Sequence, residues 1–265
     1  MRWTIGLAAA GVMAAAALSG FEAKASEGRP GAEGDFSVEL GAGVLVAPDY
    51  KGSDDYDARP IPVVEISWKD RVFLSGRRGL GVNAVKTDDV TAGAAVGWQF
   101  GRDEDDNDAL TGMGDVDGSP IGRLFFDYAP GSFGVGLGFE QDLGDGHEGL
   151  LADAEVYYRT RFADNRAFVK IGPKVSWGSE DYNQAFFGVS TAQAAATPYA
   201  LYQADAGVNE ISFGAAGGYS LTEQVNLGLF ASVSELVGDA ADSPLVDQAG
   251  SSAQLTGGLS LSYRF

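Results

Sequence analysis

The single histidine, His147, is the first residue of this chain whose type suggests chemistry. It stands in the segment Asp145-Gly146-His147-Glu148, and a histidine beside a carboxylate is a pair that general acid–base catalysis uses. No serine with a recognisable nucleophile signature lies near it in the sequence. The segment is instead typical of a polar turn between strands. We therefore interpret His147 as a turn residue and expect no catalytic site.

A dense run of carboxylates, residues 103–117, suggests a cation site, because hard cations favour clustered oxygen ligands. The run does not fit an EF-hand loop. Asp108 stands where the glycine of the sharp turn belongs, and no glutamate closes the loop. A solvated acidic loop is the better interpretation, and we expect neither a metal nor a cofactor. The same holds for a second group, which at most helps divalent cations to bridge lipopolysaccharide phosphates: Asp49, Asp54, Asp55 and Asp57.

Alternation of apolar and polar residues recurs almost throughout the chain, and this period of two predicts β-strands. The alternating segments are 36–46, 62–69, 72–85, 90–100, 124–128, 133–139, 150–161, 169–176, 198–206, 213–221, 225–233 and 254–265. The third segment is less regular, since Arg77, Arg78 and Gly79 interrupt it. The dipeptides Pro130-Gly131 and Asp164-Asn165 mark tight turns between neighbouring strands.

The last segment indicates where such strands reside. One face carries Leu255, Gly257, Leu259, Leu261, Tyr263 and Phe265, and the other carries mostly hydroxyls, amides and Arg264. A transmembrane β-barrel needs such strands, with lipid on one side and a polar lumen on the other. The final phenylalanine also resembles the carboxy-terminal signature of outer-membrane barrels. We predict an all-β, antiparallel up-and-down transmembrane β-barrel of about 12 strands, with 10 as the alternative count.

Residues 1–25 are predicted to be a cleaved signal peptide. Arg2 supplies the positive charge, 4–18 form a short apolar region, and Ala23-Lys24-Ala25 provides the cleavage pattern. A membrane anchor is the alternative, but no stop-transfer pattern follows. The barrel is then expected over residues 26–265, because that part of the sequence lacks an apolar run long enough for a membrane helix.

Charge and cysteine content exclude several classes of function. The chain has a formal net charge of −19. Removing residues 1–25 takes away two positive charges and one negative charge, which leaves −20. Such an acidic chain lacks the basic footprint that nucleic-acid binding requires. The sequence has no cysteine, which excludes thiolate catalysis and cysteine-ligated metals.

Four connections between the predicted strands are long: 47–59, 101–119, 178–197 and 237–253. Threading 12 strands alternately up and down places the first and last outside the cell. The middle two, and the turn that contains His147, then lie on the periplasmic side. This threading conflicts with the usual rule of short periplasmic turns. Either the strand count slips somewhere, or these segments plug the lumen or meet a periplasmic partner.

Side chains of both signs are predicted to face the lumen: Glu65, Lys69, Asp153, Glu155, Arg159, Arg161, Lys170, Lys174 and Arg264. They would line a charge-selective pore, or they would fill a closed barrel with ion pairs and hydrogen bonds. We favour the closed barrel, because the inward glycines of the sixth predicted strand leave room for bulky neighbours such as Tyr157.

Several segments in order resemble the MipA/OmpV family of outer-membrane proteins. They are 48–56 (PDYKGSDDY), 60–62 (PIP), 79–81 (GLG), 186–190 (FFGVS), 238–244 (GDAADSP) and 263–265 (YRF). The resemblance covers nearly the whole chain after the signal peptide and implies a β-barrel in the outer membrane of a Gram-negative cell. Its best-known member is a scaffold that joins a membrane-bound lytic transglycosylase to a bifunctional murein synthase. Others are described as adhesins or osmotically regulated surface proteins.

No catalytic or binding residue follows from the resemblance, because the family motifs are not a catalytic set. We therefore expect a non-enzymatic scaffold that contacts outer-membrane lipid and lipopolysaccharide and links to murein enzymes. A small channel, or a surface receptor or adhesin, is the alternative. An outer-membrane hydrolase would depend on His147 alone.

Overall fold

The computed structural model describes residues 35–265, which form a closed antiparallel barrel of 12 strands. The predicted signal peptide, residues 1–25, and the first residues of the predicted barrel, 26–34, lie outside the described part. The strands are β1 (Phe36–Pro48), β2 (Tyr56–Trp68), β3 (Val72–Ser75), β4 (Gly79–Lys86), β5 (Val90–Gln99), β6 (Ser119–Tyr128), β7 (Phe133–Asp142), β8 (Leu150–Phe162), β9 (Ala167–Gly178), β10 (Gly207–Ser220), β11 (Val225–Leu236) and β12 (Ala253–Arg264).

Each strand pairs with its neighbours in sequence, and β1 pairs with β12 to close the barrel. In that closing pair Leu40 lies opposite Tyr263, and the Phe265 amide donates to the Val38 carbonyl at 3.0 Å. Closure gives the backbone N–H and C=O groups of β1 and β12 hydrogen-bond partners that lipid cannot supply. The predicted fold class and the count of 12 are confirmed.

The alternating pattern sorts side chains between lipid and lumen as predicted. Outward residues leave large apolar surfaces exposed, with Phe133 at 69 % and Leu229 at 62 %. Many inward residues are small or polar. Gly134 faces the lumen next to Tyr157, and a Cβ on this glycine would lie 2.3 Å from the tyrosine ring. The prediction that the inward glycines of this strand make room for Tyr157 is therefore confirmed.

Two of the predicted strands are wrong, and the two errors cancel in the count. The third segment, 72–85, is two strands, because the chain reverses at Gly76–Arg78 and Gly79 adopts a left-handed conformation (φ +85°). The ninth, 198–206, has only an isolated bridge between Val189 and Tyr202. Its tyrosine side chains, Tyr199 and Tyr202, pack against the hydrophobic clusters of the long connections instead of joining a ladder.

The corrected order moves all the long connections to one end of the barrel. Residues 49–55, 100–118, 143–149, 179–206 and 237–252 lie there. Among the described residues, the connections at the other end are short turns, 69–71, 87–89, 129–132, 163–166 and 221–224, which we call the rim. The threading that split the long connections between two sides was wrong. Because periplasmic turns are short, we place the rim in the periplasm and the long connections, with His147, outside.

Three short helices lie in the long connections: α1 (Glu180–Phe187), α2 (Thr191–Ala196) and α3 (Pro244–Ala249). Within residues 35–265, no helix has the length and apolar character that a membrane crossing requires.

Candidate functional site: a capped barrel

The five long connections fold together over the outer mouth, and we call this assembly the cap. Serines start its helices. The Ser179 hydroxyl accepts from the Tyr182 amide at the start of α1, and Ser190 forms a capping box with Gln193 at the start of α2. Ser243 caps α3 and also donates to the Phe187 carbonyl at 2.6 Å, which joins α3 to α1. The helix ends thus attach the connections to one another.

The cap has its own hydrophobic core, in two adjoining clusters. The first comprises Val116, Leu151, Tyr182, Phe186, Phe187, Ala204, Leu236, Ala240 and Val246, and the second comprises Tyr50, Leu110, Met113, Val189, Tyr199 and Leu245. Burying large aromatic side chains stabilises a structure by about 1.5–3 kcal/mol each. A core of this size makes the connections a folded plug instead of a set of solvated loops.

Tyrosine hydroxyls connect the cap segments across long sequence distances. Tyr199 donates to the Ala109 carbonyl at 2.8 Å, Tyr202 to Asp239 at 2.9 Å, and Tyr50 to Ala249 at 3.1 Å. Burial raises the pKa of Tyr50 to about 12 and that of Tyr202 to about 12. Both hydroxyls therefore remain protonated donors at neutral pH. The role of these tyrosines in joining the cap was not predicted from the sequence, although aromatic residues within long polar connections indicate such packing.

His147 lies inside the cap, against the rings of Tyr182 (5.1 Å between centroids) and Phe186 (5.6 Å). The Gly149 amide donates to its Nδ1 at 3.0 Å, so the proton sits on Nε2, which contacts Gln99 Oε1 at 3.1 Å. Burial lowers the pKa of His147 and keeps the ring neutral. Both ring nitrogens therefore have hydrogen-bond partners, and the ring is buried within the cap instead of standing in a solvated turn.

The acidic run 103–117 is ordered by its own backbone. Glu104 accepts from the amides of Gly112 and Gly114, and Asp115 accepts from the Glu104 amide at 2.8 Å. Asp49 and Asp55 both accept from the Asn107 side chain at 3.1 Å. Among residues 35–265, no group of three acidic or histidine side chains is placed to hold a metal ion.

Most predicted lumen charges form ion pairs across neighbouring strands. Lys170 contacts Glu155 at 2.6 Å, Lys174 contacts Asp153 at 3.4 Å, and Arg264 contacts Glu39 at 2.9 Å. Glu65 accepts from the Ser75 hydroxyl at 2.7 Å, and Arg161 lines the lumen cavity. Other ion pairs join residues outside that prediction, among them Arg123 with Glu140 at 3.0 Å and Lys51 with Glu210 at 3.6 Å.

Two of the predicted lumen charges lie at the rim instead. Lys69 adopts a left-handed conformation (φ +52°) in a turn and pairs with Asp35 at 3.2 Å. Arg159 donates to the carbonyls of Ala129 and Gly131 and so braces a turn. Lys69 follows the end of β2, whereas Arg159 remains within β8, opposite Lys170, and only its guanidinium reaches the rim turn 129–132.

A cavity of about 250 Å³ occupies the lumen below the cap. Its lining runs from mid-barrel residues such as Phe73 and Arg78 to rim residues such as Asp70 and Asn165. The larger cavity therefore lies toward the periplasmic rim, and a smaller one of about 100 Å³ lies beneath the cap, lined by Tyr50, Tyr182 and Phe186 among others.

Charge is distributed unevenly between the two ends. The cap carries 18 acidic and 2 basic side chains, a net charge of −16, whereas the rim carries 5 acidic and 3 basic side chains, a net charge of −2. The acidity of the chain is thus concentrated in the cap.

A family model described as "MltA-interacting protein MipA" matches residues 40–265. The chain belongs to the MipA family. Together with the closed barrel and its apolar outer surface, this membership establishes an outer-membrane β-barrel protein. No curated protein matches the sequence significantly.

Solved structures that match this chain include two porins and an outer membrane channel. The NanC porin is 9 % identical, with 85 % of this chain and 98 % of that chain covered, at a TM-score of 0.43. The KdgM porin is 10 % identical (86 % and 99 % covered, TM-score 0.39), and an outer membrane channel from Pseudomonas putida F1 is 13 % identical (90 % and 100 % covered, TM-score 0.41). At these scores the strand pairing of this chain, and not the likeness, carries the fold assignment.

Proposed function

We propose that this protein is a non-enzymatic outer-membrane scaffold whose periplasmic rim docks murein enzymes. The cap is the observation that carries the proposal. Its core lies over the outer mouth, and the larger lumen cavity lies toward the periplasmic rim. A barrel built in this way presents a stable surface to the periplasm and is poorly suited to free diffusion across the membrane.

The family description supports the identity of the partner. It names an MltA-interacting protein, and the family resemblance implies that such a partner is a lytic transglycosylase held together with a murein synthase. Docking at the rim replaces the sequence-based expectation of docking at residues 101–119 and 178–197. Those segments belong to the cap, on the opposite side of the barrel.

Affinity capture from envelope extracts tests the proposal. The folded protein should recover murein enzymes, and a Lys69→Glu/Arg71→Glu variant of the rim should recover fewer of them. A cap variant, Asp105→Asn/Asp108→Asn, is the matched control and should recover as much as the unaltered protein. Recovery of no murein enzyme, or equal loss in both variants, contradicts docking at the rim.

Planar-bilayer recording distinguishes the proposed scaffold from the alternative, a channel. The unaltered protein should give little or no steady conductance, because the aromatic core of the cap lies over the lumen. Replacing residues 179–206 by a short turn should open a path and produce conductance. Steady, charge-selective conductance from the unaltered protein would instead favour a channel.

A further inference from the structure

The barrel wall is incomplete in its outer half, next to β2. This strand has 13 residues, but β3 has only four and pairs with Glu65–Trp68 alone. Among the described residues, 56–63 of β2 have no strand partner on that side. We call this opening the wall gap. Its lower edge is the β3–β4 turn, where the Gly76 amide donates to the Val64 carbonyl at 2.8 Å.

The other edges of the wall gap are also defined. The edge opposite β2 is formed by β5. The pairing of β4 with β5 ends at Leu80 opposite Val96, so Trp98 of β5 has no partner on β4. Above the wall gap, the Asn107 side chain joins Asp55 at 3.1 Å and closes the space between two cap segments. The wall gap is therefore a bounded window at the level of the membrane and not a frayed end of the sheet.

The sequence of β2 is adapted to an open edge. Alternate residues of a strand bond to the same neighbour. Because the Val64 carbonyl accepts from Gly76, the backbone groups of Ala58, Pro60 and Pro62 face the wall gap. The two prolines have no N–H to leave unsatisfied. The Ala58 amide donates to its neighbour, Asp57 Oδ1, at 2.7 Å.

These features restrict what enters the wall gap. A strand from another protein would need N–H donors from β2 to complete its ladder, and the prolines remove them. The medium outside is lipid, since the outward residues of β2 run from Tyr56 at one interface to Trp68 at the other. Both aromatic residues are more than 40 % exposed.

Apolar side chains line part of the lumen behind the wall gap. Ile61, Val63 and Phe73 line the 250 Å³ cavity there. The Arg78 guanidinium lies over the Phe73 ring at 4.0 Å, which leaves the arginine stem along the same surface. Alkyl chains bury favourably against such a surface, at about 0.8 kcal/mol for each methylene removed from water.

We propose that the wall gap admits an acyl chain of an outer-leaflet lipid into the lumen, where it lies against Ile61, Val63 and Phe73. Lipid access of this kind is independent of the scaffold proposed above. It makes the barrel a lipid-binding protein that receives its ligand sideways from the membrane and not through the capped mouth.

Because the chain has no cysteine, single labels test this proposal cleanly. Ile61→Cys carries a bimane fluorophore in the lumen beside the wall gap, and Ser232→Cys carries one in the lumen on β11, away from it. Val233→Cys is the lipid-facing reference, 56 % exposed. The labelled proteins are folded into vesicles of phosphatidylcholine with brominated acyl chains, and retained folding is checked by the gel mobility shift on heating.

Bromine should quench the fluorophore at position 61 almost as strongly as at position 233, and hardly at position 232. Quenching at position 61 no stronger than at position 232 would overturn the proposal. Cross-linking the unaltered protein with a photoactivatable phosphatidylcholine needs no variant. Adducts on Ile61, Val63 or Phe73 support lipid entry, whereas adducts confined to outward-facing residues contradict it.

Discussion

Truncating one cap aromatic should open the cap without unfolding the barrel. Phe187 is fully buried at the end of α1, within the first cap cluster. Replacing a buried phenylalanine by alanine costs about 3–5 kcal/mol. The strand ladders below do not include this residue, so the cost should fall on the equilibrium between closed and open cap. The open population should rise by about 10² to 10⁴, since 1.4 kcal/mol corresponds to a factor of ten in an equilibrium constant.

Limited proteolysis of the protein in detergent measures this change. Cleavage of Phe187→Ala within residues 179–206 should accelerate by about the factor above, because proteolysis follows the open population when closing is fast. Leu201→Ala is the matched control. It lies in the same connection but is 66 % exposed, so its cleavage rate should be unchanged. Equal rates in the unaltered protein and in Phe187→Ala would refute the idea that the cap core holds the outer mouth closed.

Two further predictions concern buried polar groups. Lys170→Met leaves Glu155 unpaired in the lumen and should lower the free energy of unfolding by about 3–5 kcal/mol, as measured by denaturant titration. The double variant Lys170→Met/Glu155→Leu should recover most of this loss. Equal losses in both variants would show that the ion pair does not carry the effect. Burial lowers the pKa of His147 in the folded protein, so the neutral ring stabilises the cap above the ordinary histidine pKa near 6.5. This stability is lost as the pH falls below that value, and proteolysis of residues 179–206 should accelerate between pH 7 and pH 5, but less so in His147→Gln.

The sequence predicts the barrel well because lipid imposes a strict pattern on each strand. Residues 254–265, 90–100 and 150–161 alternate with few exceptions, such as Ala95 and Leu151 on the inward face, and their strands are confirmed. Residues 72–85 were predicted to be a single strand, because two short strands and the tight turn between them share one alternating pattern. Gly79, with its left-handed backbone, was the signal for that turn. The sequence-based count has one strand too few at 72–85 and one too many at 198–206. These two errors assigned the long connections between those segments to the wrong end of the barrel.

The alternation of apolar and polar residues did not predict the structure of the cap. Tyr199 and Leu201 alternate like strand residues, yet Tyr199 is buried in the cap and Leu201 is exposed. Their positions follow from contacts between segments far apart in the sequence, such as Tyr199 with Ala109. Lumen ion pairs were partly predictable, because opposite charges recur on facing strands β8 and β9. Lys51 with Glu210 joins a cap segment to β10, and no local pattern indicates it.

Cysteine labelling in intact cells tests the central claim most directly. Ala195→Cys lies on the exposed surface of α2 in the cap, and Thr222→Cys lies in an exposed turn of the rim. A membrane-impermeant maleimide should label the first and not the second until the outer membrane is broken. Labelling of Thr222→Cys but not of Ala195→Cys in intact cells would place the cap in the periplasm and contradict the account.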